Sequence, residues 1–83
     1  MKLLYFAWVR QRVGMAEETV ELPDAVATVG DLLAWLETRG PSYAEALGAK
    51  GVVKVAVNQE YAGSDRRLAP GDEVALFPPV TGG

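Results

Sequence analysis

The 83-residue chain is 49% hydrophobic and 23% charged with a net charge of −3, a composition that suits one small globular domain and is too apolar for disorder. It contains no cysteine and no histidine, which excludes disulfides, a thiolate nucleophile or metal site, a persulfide carrier and the commonest general base, so the chain reads as a partner or carrier, not a stand-alone catalyst. Its acidic balance and scattered basic residues argue against nucleic acid, and no segment is long enough to cross a membrane, so a cytoplasmic protein is expected.

Lys2 followed by the apolar run Leu3–Val9 has the outline of a signal peptide, but Arg10 and Arg12 interrupt it and no small-residue cleavage site follows. Residues 2–9, rich in aromatic and branched side chains, instead predict a first strand. Gln11 to Gly14 makes a turn, with room for one helical turn before Gly14. Glu17 to Leu22 predicts a second strand, and the short connection favours a hairpin with the first. Pro23-Asp24 ends it.

The middle of the chain carries the best-marked element. Thr28 and Asp31 have the spacing of an N-terminal cap, and Val29, Leu32, Leu33 and Leu36 form one apolar stripe at helical spacing. Arg39, Gly40 and Pro41 close the helix, and Ser42 to Leu47 adds a short helical turn. Val52–Val57 predicts a third strand, Asn58-Gln59-Glu60 a turn, and Glu60-Tyr61-Ala62 a brief edge strand. Gly63 to Arg67 is loop. Pro70-Gly71-Asp72 suits a turn with Pro at its second position and Gly at its third, feeding a last strand over Glu73–Phe77.

A hairpin, a helix and further strands in this length predict an α+β fold, the β-grasp or ubiquitin-like roll: a mixed sheet with one main helix on one face and the first strand parallel to a later one. Periodicity alone also allows a ferredoxin-like split, but only one helix is strongly marked. Residues 1–77 would form the domain and residues 78–83 an extended tail. One helix covers one face of such a sheet, so side-chain parity identifies the bare face. Val53, Val55, Val57, Val74 and Leu76 take the covered side. Lys2, Leu4, Phe6 and Trp8 share the other parity with Lys54, Ala56, Glu73, Ala75 and Phe77. This predicts an exposed apolar patch of Leu4, Phe6, Trp8, Ala75 and Phe77 fringed by Lys2, Lys54, Arg10 and Glu73. Such patches mark contact surfaces, with aromatics as anchors; the competing reading is that Phe6 and Trp8 fill the small core.

Pro78-Pro79-Val80-Thr81-Gly82-Gly83 follows the last strand without a linker. Proline fixes its own φ and keeps the preceding residue extended, so the tail leaves the strand stiffly, while two glycines keep its tip narrow. A terminal Gly-Gly alone reads as a frayed end. Behind a Pro-Pro that stiffens the exit from a core strand, it reads as a thread that carries a terminal carboxylate into a partner's pocket.

Leu4-Tyr5-Phe6-Ala7-Trp8-Val9-Arg10, Val57-Asn58-Gln59, Pro70-Gly71-Asp72-Glu73-Val74 and above all Phe77-Pro78-Pro79-Val80-Thr81-Gly82-Gly83 resemble the small, sulfur-carrier subunits of molybdopterin synthases. The resemblance implies a non-catalytic subunit of a sulfur-transferring synthase, with the catalytic residues on the large subunit. It implies no bound cofactor. ATP would be consumed by a ubiquitin-activator-like adenylating enzyme, through an acyl-adenylate at Gly83. Sulfur from a sulfurtransferase would then displace AMP to leave a thiocarboxylate. The large subunit would receive the tail and pass the sulfur to cyclic pyranopterin monophosphate (precursor Z), two carriers serving one dithiolene in a heterotetramer. Gly83 would be the covalent centre, and Gly82, Thr81, Val80, Pro79 and Pro78 would line the partner's channel. Phe6, Arg10, Tyr61 and Phe77 match positions that the family uses towards its partner, beside Leu4 and Trp8 of the predicted patch. Three alternatives share these features: a thiocarboxylate donor for thiamine, a thiolated tRNA base or an amino acid; a ubiquitin-like modifier joined to lysines through Gly83; and a non-covalent β-grasp binding module using only the patch.

Overall fold

The computed structural model describes residues 1–47 and 53–79. In chain order its elements are β1 (Lys2–Tyr5), α1 (Ala7–Val13), β2 (Glu17–Thr19), α2 (Val29–Glu37), α3 (Pro41–Leu47), β3 (Lys54–Val57), β4 (Glu60–Tyr61) and β5 (Glu73–Phe77). The strands form one mixed sheet in the order β2-β1-β5-β3-β4. At its centre β1 runs parallel to β5, with Leu3 opposite Val74 and Tyr5 opposite Leu76, while the remaining neighbours pair antiparallel. This is the β-grasp sheet that the element order predicts.

Alternation along the strands separates the two faces. Leu3, Tyr5, Val55, Val57, Val74 and Leu76 are buried and meet Val29, Leu32 and Leu36 of α2, Val9 and Val13 of α1, and Tyr43 and Ala46 of α3. All helices thus contribute to the covered side, three of them where the sequence marked one main helix. The cap of α2 is a full capping box with Asp in place of the usual Glu. The Thr28 hydroxyl accepts from the Asp31 N–H at 3.2 Å, and the Asp31 carboxylate accepts from the Thr28 N–H at 3.2 Å. Pro41 both prevents α2 from continuing and serves as the first residue of α3, where its missing N–H costs nothing.

The first strand is shorter than the expected 2–9. It ends at Tyr5, and Ala7, with φ 52°, turns the chain into α1. The left-handed region is costly for a residue with a Cβ, so neither glycine nor any other turn signal announced this corner. Trp8 therefore lies on a helix and not in the strand row assigned to it. The helix was nevertheless written in the sequence: Val9 and Val13 stand one turn apart and both are buried, and Gly14 (φ 93°) caps the end by donating its N–H to the Arg10 carbonyl at 2.9 Å. The second strand is also shorter than expected, spanning Glu17–Thr19, and the third begins at Lys54, with Val52 outside the described residues.

Two of the sequence motifs brace each other. Asn58 and Gln59 both have positive φ, as a tight hairpin turn between β3 and β4 demands. The Asn58 amide donates to Asp72 Oδ1 at 3.0 Å and accepts from the Glu73 N–H at 3.0 Å. Asp72 Oδ2 accepts from the Ala69 N–H at 2.8 Å, and the Asp72 N–H donates to the Ala69 carbonyl at 3.1 Å across a turn with Pro70 second and Gly71 (φ 88°) third. The Ala69 and Asn58 hydrogen bonds hold the Asp72 carboxyl below its ordinary pKa. These motifs position the start of β5, the strand that launches the tail.

A second network fastens β2 to the helical layer. Glu18 accepts from the Tyr5 and Tyr43 hydroxyls, each at 2.7 Å, and from the Arg39 guanidinium at 2.9 Å. Arg39 in turn lies over the Trp35 and Tyr43 rings, 5.2 and 5.0 Å from their centroids. No helix among the described residues is long and apolar enough to cross a membrane.

Candidate functional site

The face opposite the helices is a grid set by strand register. One row runs Thr19, Lys2, Glu73; the next Glu17, Leu4, Ala75, Ala56, Tyr61; and the last, where the chain leaves the sheet, pairs Phe77 with Lys54. Phe6 extends this last row, since its N–H donates to the Leu76 carbonyl at 3.1 Å just past the end of β1. Phe6 is 48% exposed directly after the buried Tyr5, as its parity requires. Tyr61, on the edge strand, is 77% exposed, and its ring centroid lies 5.8 Å from that of Phe77 at a tilt of 51°.

Of the predicted contact residues, the structure brings Leu4, Phe6, Phe77 and Tyr61 onto this one face, with Leu4 and Phe77 half-buried and Ala75 between them. Arg10 is exposed one turn into α1, its N–H bonded to the Phe6 carbonyl at 3.3 Å. Trp8 does not join the sheet row. It is half-buried on α1 against the core, with the Arg12 guanidinium 5.5 Å from its ring centroid. Pro78 and Pro79 follow β5, both half-buried, and Pro79 lines a shallow groove with Lys54, Tyr61, Gly63 and Phe77. The groove was not anticipated, because Gly63 belongs to a loop whose return past Lys54 no periodicity encodes. Val80, Thr81, Gly82 and Gly83 lie outside the described residues.

No group of residues that could hold a metal occurs among the described residues. What the bare face offers is an apolar, aromatic surface where Pro78 and Pro79 follow β5.

A family model described as the ThiS family matches residues 3–83. The chain belongs to the ThiS family. Over all of its length this ThiS-family chain is 41% identical to the molybdopterin synthase sulfur carrier subunit of Escherichia coli (strain K12), covering 99% of that protein. Among solved structures it is similar to a putative molybdopterin converting factor, subunit 1, of Pyrococcus furiosus, at 36% identity and a TM-score of 0.78 over 95% of each chain. It is also similar to the small archaeal modifier protein 1 of Haloferax volcanii, at 30% identity and a TM-score of 0.69, covering 96% of this chain and 97% of that one. The ThiS match runs through to residue 83 and so includes the glycines at positions 82 and 83.

Proposed function

We propose that this chain is the sulfur carrier of molybdopterin biosynthesis, acting in the cytoplasm as the small subunit of a synthase whose large subunit holds the catalytic residues. The observation that carries the reading is the full-length likeness, tail included, to a named molybdopterin synthase sulfur carrier subunit. The aromatic face at the root of the tail supports it, because a partner that grips this face also receives the thread.

The proposed chemistry is the one that the resemblance implies, and it starts from the Gly83 carboxylate. A carboxylate is a poor electrophile, so the Gly83 carboxylate attacks the α-phosphorus of ATP on the adenylating enzyme, expelling pyrophosphate and forming an acyl-adenylate. The terminal persulfide sulfur of a sulfurtransferase adds to the carbonyl and expels AMP, and a thiol then cleaves the resulting acyl disulfide, becoming oxidised to a disulfide and releasing the C-terminal thiocarboxylate. That group is anionic and nucleophilic at neutral pH, so a chain with no cysteine can carry sulfur. In the large subunit its sulfur bonds to cyclic pyranopterin monophosphate, and water then hydrolyses the acyl–sulfur bond, leaving the sulfur on the acceptor and Gly83 as the carboxylate. Intact mass spectrometry after incubation with ATP, the adenylating enzyme and a sulfur donor is expected to show one oxygen exchanged for sulfur, localised to Gly83. An unchanged mass in the complete system would overturn the carrier reading.

The likeness to a small archaeal modifier protein favours one second reading, a modifier attached through Gly83 to lysines. Isopeptide conjugates recovered from cells would establish it, whereas a pure carrier leaves none. On the carrier reading Phe77→Ala is expected to weaken binding to the large subunit tenfold or more, while costing only about 1–2 kcal/mol of stability because the ring is half-buried. Titration calorimetry and thermal unfolding of the same variant separate the two effects. Normal binding by the folded fraction of a destabilised variant would assign Phe77 to the core instead.

A further inference from the structure

The charges on the bare face are not spread evenly. In the row far from the tail, Lys2 stands beside Glu73 and its ammonium lies 3.5 Å from the Glu17 carboxylate, so both signs are present. The middle of the next row, Leu4, Ala75 and Ala56, carries no charge. In the row at the root of the tail, Lys54 is exposed beside Phe77 and makes no ion pair among the described residues. Its side chain also borders the groove lined by Tyr61, Gly63, Phe77 and Pro79, directly alongside the departing chain.

A lone ammonium set among aromatics is unremarked in water but consequential once covered. Removing it from solvent without an acceptor costs several kcal/mol, whereas a facing carboxylate offsets that loss and fixes register. The chain as a whole carries −3, so Lys54 is not part of a general positive field that would attract acidic surfaces indiscriminately. Because Lys54 lines the groove together with Phe77 and Pro79, a surface that seats on Phe77 and Pro79 also meets Lys54.

We infer that Lys54 is a specificity-determining residue of tail docking: the protein surface that seats on this face presents a carboxylate to Lys54, beside an apolar site for Phe77 and Phe6. The inference rests on the carrier reading, in which that surface belongs to the large synthase subunit. It makes the pairing charge-selective, so a partner with an apolar or basic residue at this point is rejected even where its channel would admit the tail.

The test is calorimetric titration of the full chain into the large molybdopterin synthase subunit of the same organism, at low and at high salt. Lys54→Glu is expected to weaken binding roughly 10–100-fold, and Lys54→Leu about tenfold with a flatter salt dependence. Lys54→Arg, which keeps the charge, is expected to stay within about fivefold of the wild type. Lys54 is exposed, so thermal midpoints should not move and lost affinity cannot be assigned to unfolding. Wild-type binding that is matched or exceeded by Lys54→Leu, or unaffected by Lys54→Glu, overturns the inference and leaves the carrier reading standing. A wild-type chain that does not bind the subunit at all overturns the carrier reading and the inference with it.

Discussion

Deletion of Gly83 is expected to abolish sulfur transfer while leaving the fold intact. Among the described residues the buried core runs from Leu3 to Leu76, so the fold should survive loss of the last residue. On the carrier reading the chemistry should not. Removing one residue of extended chain withdraws the terminal carboxylate by about 3.5 Å. A misplacement of even 1 Å at a reacting atom can cost about 100-fold. A loss of at least that size is expected both in adenylation and in single-turnover sulfur transfer, with an unchanged thermal midpoint. Gly83→Ala separates reach from width, since it keeps the carboxylate in place and adds only a Cβ to a narrow thread. It should retain more activity than the deletion. A deletion variant that still supports sulfur transfer would refute the assignment of Gly83 as the covalent centre.

The elements that were legible in the sequence are those whose signals are local. Thr28, Asp31 and the stripe Val29, Leu32, Leu36 define α2 from neighbours within a turn or two, and the structure realises both the capping box and the buried stripe. Pro70-Gly71-Asp72 specifies its turn by φ alone. Strand parity then identifies the bare face, which is why Leu4, Phe6, Ala75 and Phe77 lie on it as read. The corner at Ala7 was not legible, because a left-handed alanine leaves no residue-type signature. Composition alone carries the apolar run onward through Val9, which misplaces Trp8. The groove beside Pro79 and the donors around Glu18 were illegible for a different reason. Tyr5, Arg39 and Tyr43 are distant from Glu18 in the chain and meet it only because the sheet pairs and the helices stack.

Glu18 is the group whose loss should damage the fold most among the polar residues described, and its effect should depend on pH. Its side chain is only 13% exposed, and three donors from β1, α2's trailing turn and α3 converge on it. Glu18→Ala leaves the hydroxyls of Tyr5 and Tyr43 without their acceptor, one of them on a side chain that is otherwise fully covered. A loss of about 3 kcal/mol is expected, roughly 12–24 °C in thermal midpoint for a domain of this size. Glu18→Gln keeps an acceptor oxygen but loses the charge, and should cost about half as much. Burial by itself raises the Glu18 pKa, but the hydrogen bonds from Tyr5, Tyr43 and Arg39 together outweigh it and hold the carboxyl below its ordinary 4.5. The unfolded chain therefore takes up this proton more readily than the folded one. The stabilisation is complete above the unfolded value and is lost as pH falls through the folded one. Chemical denaturation of the wild type should show an acid limb that begins as pH drops towards 4.5, and Glu18→Gln should make that limb shallower without removing it. The remainder belongs to Asp31 and Asp72, whose carboxyls are also held low, chiefly by backbone hydrogen bonds from Ala27 and Ala69. An acid limb of the same depth in wild type and Glu18→Gln would show that the Glu18 carboxylate contributes no charge-dependent stability.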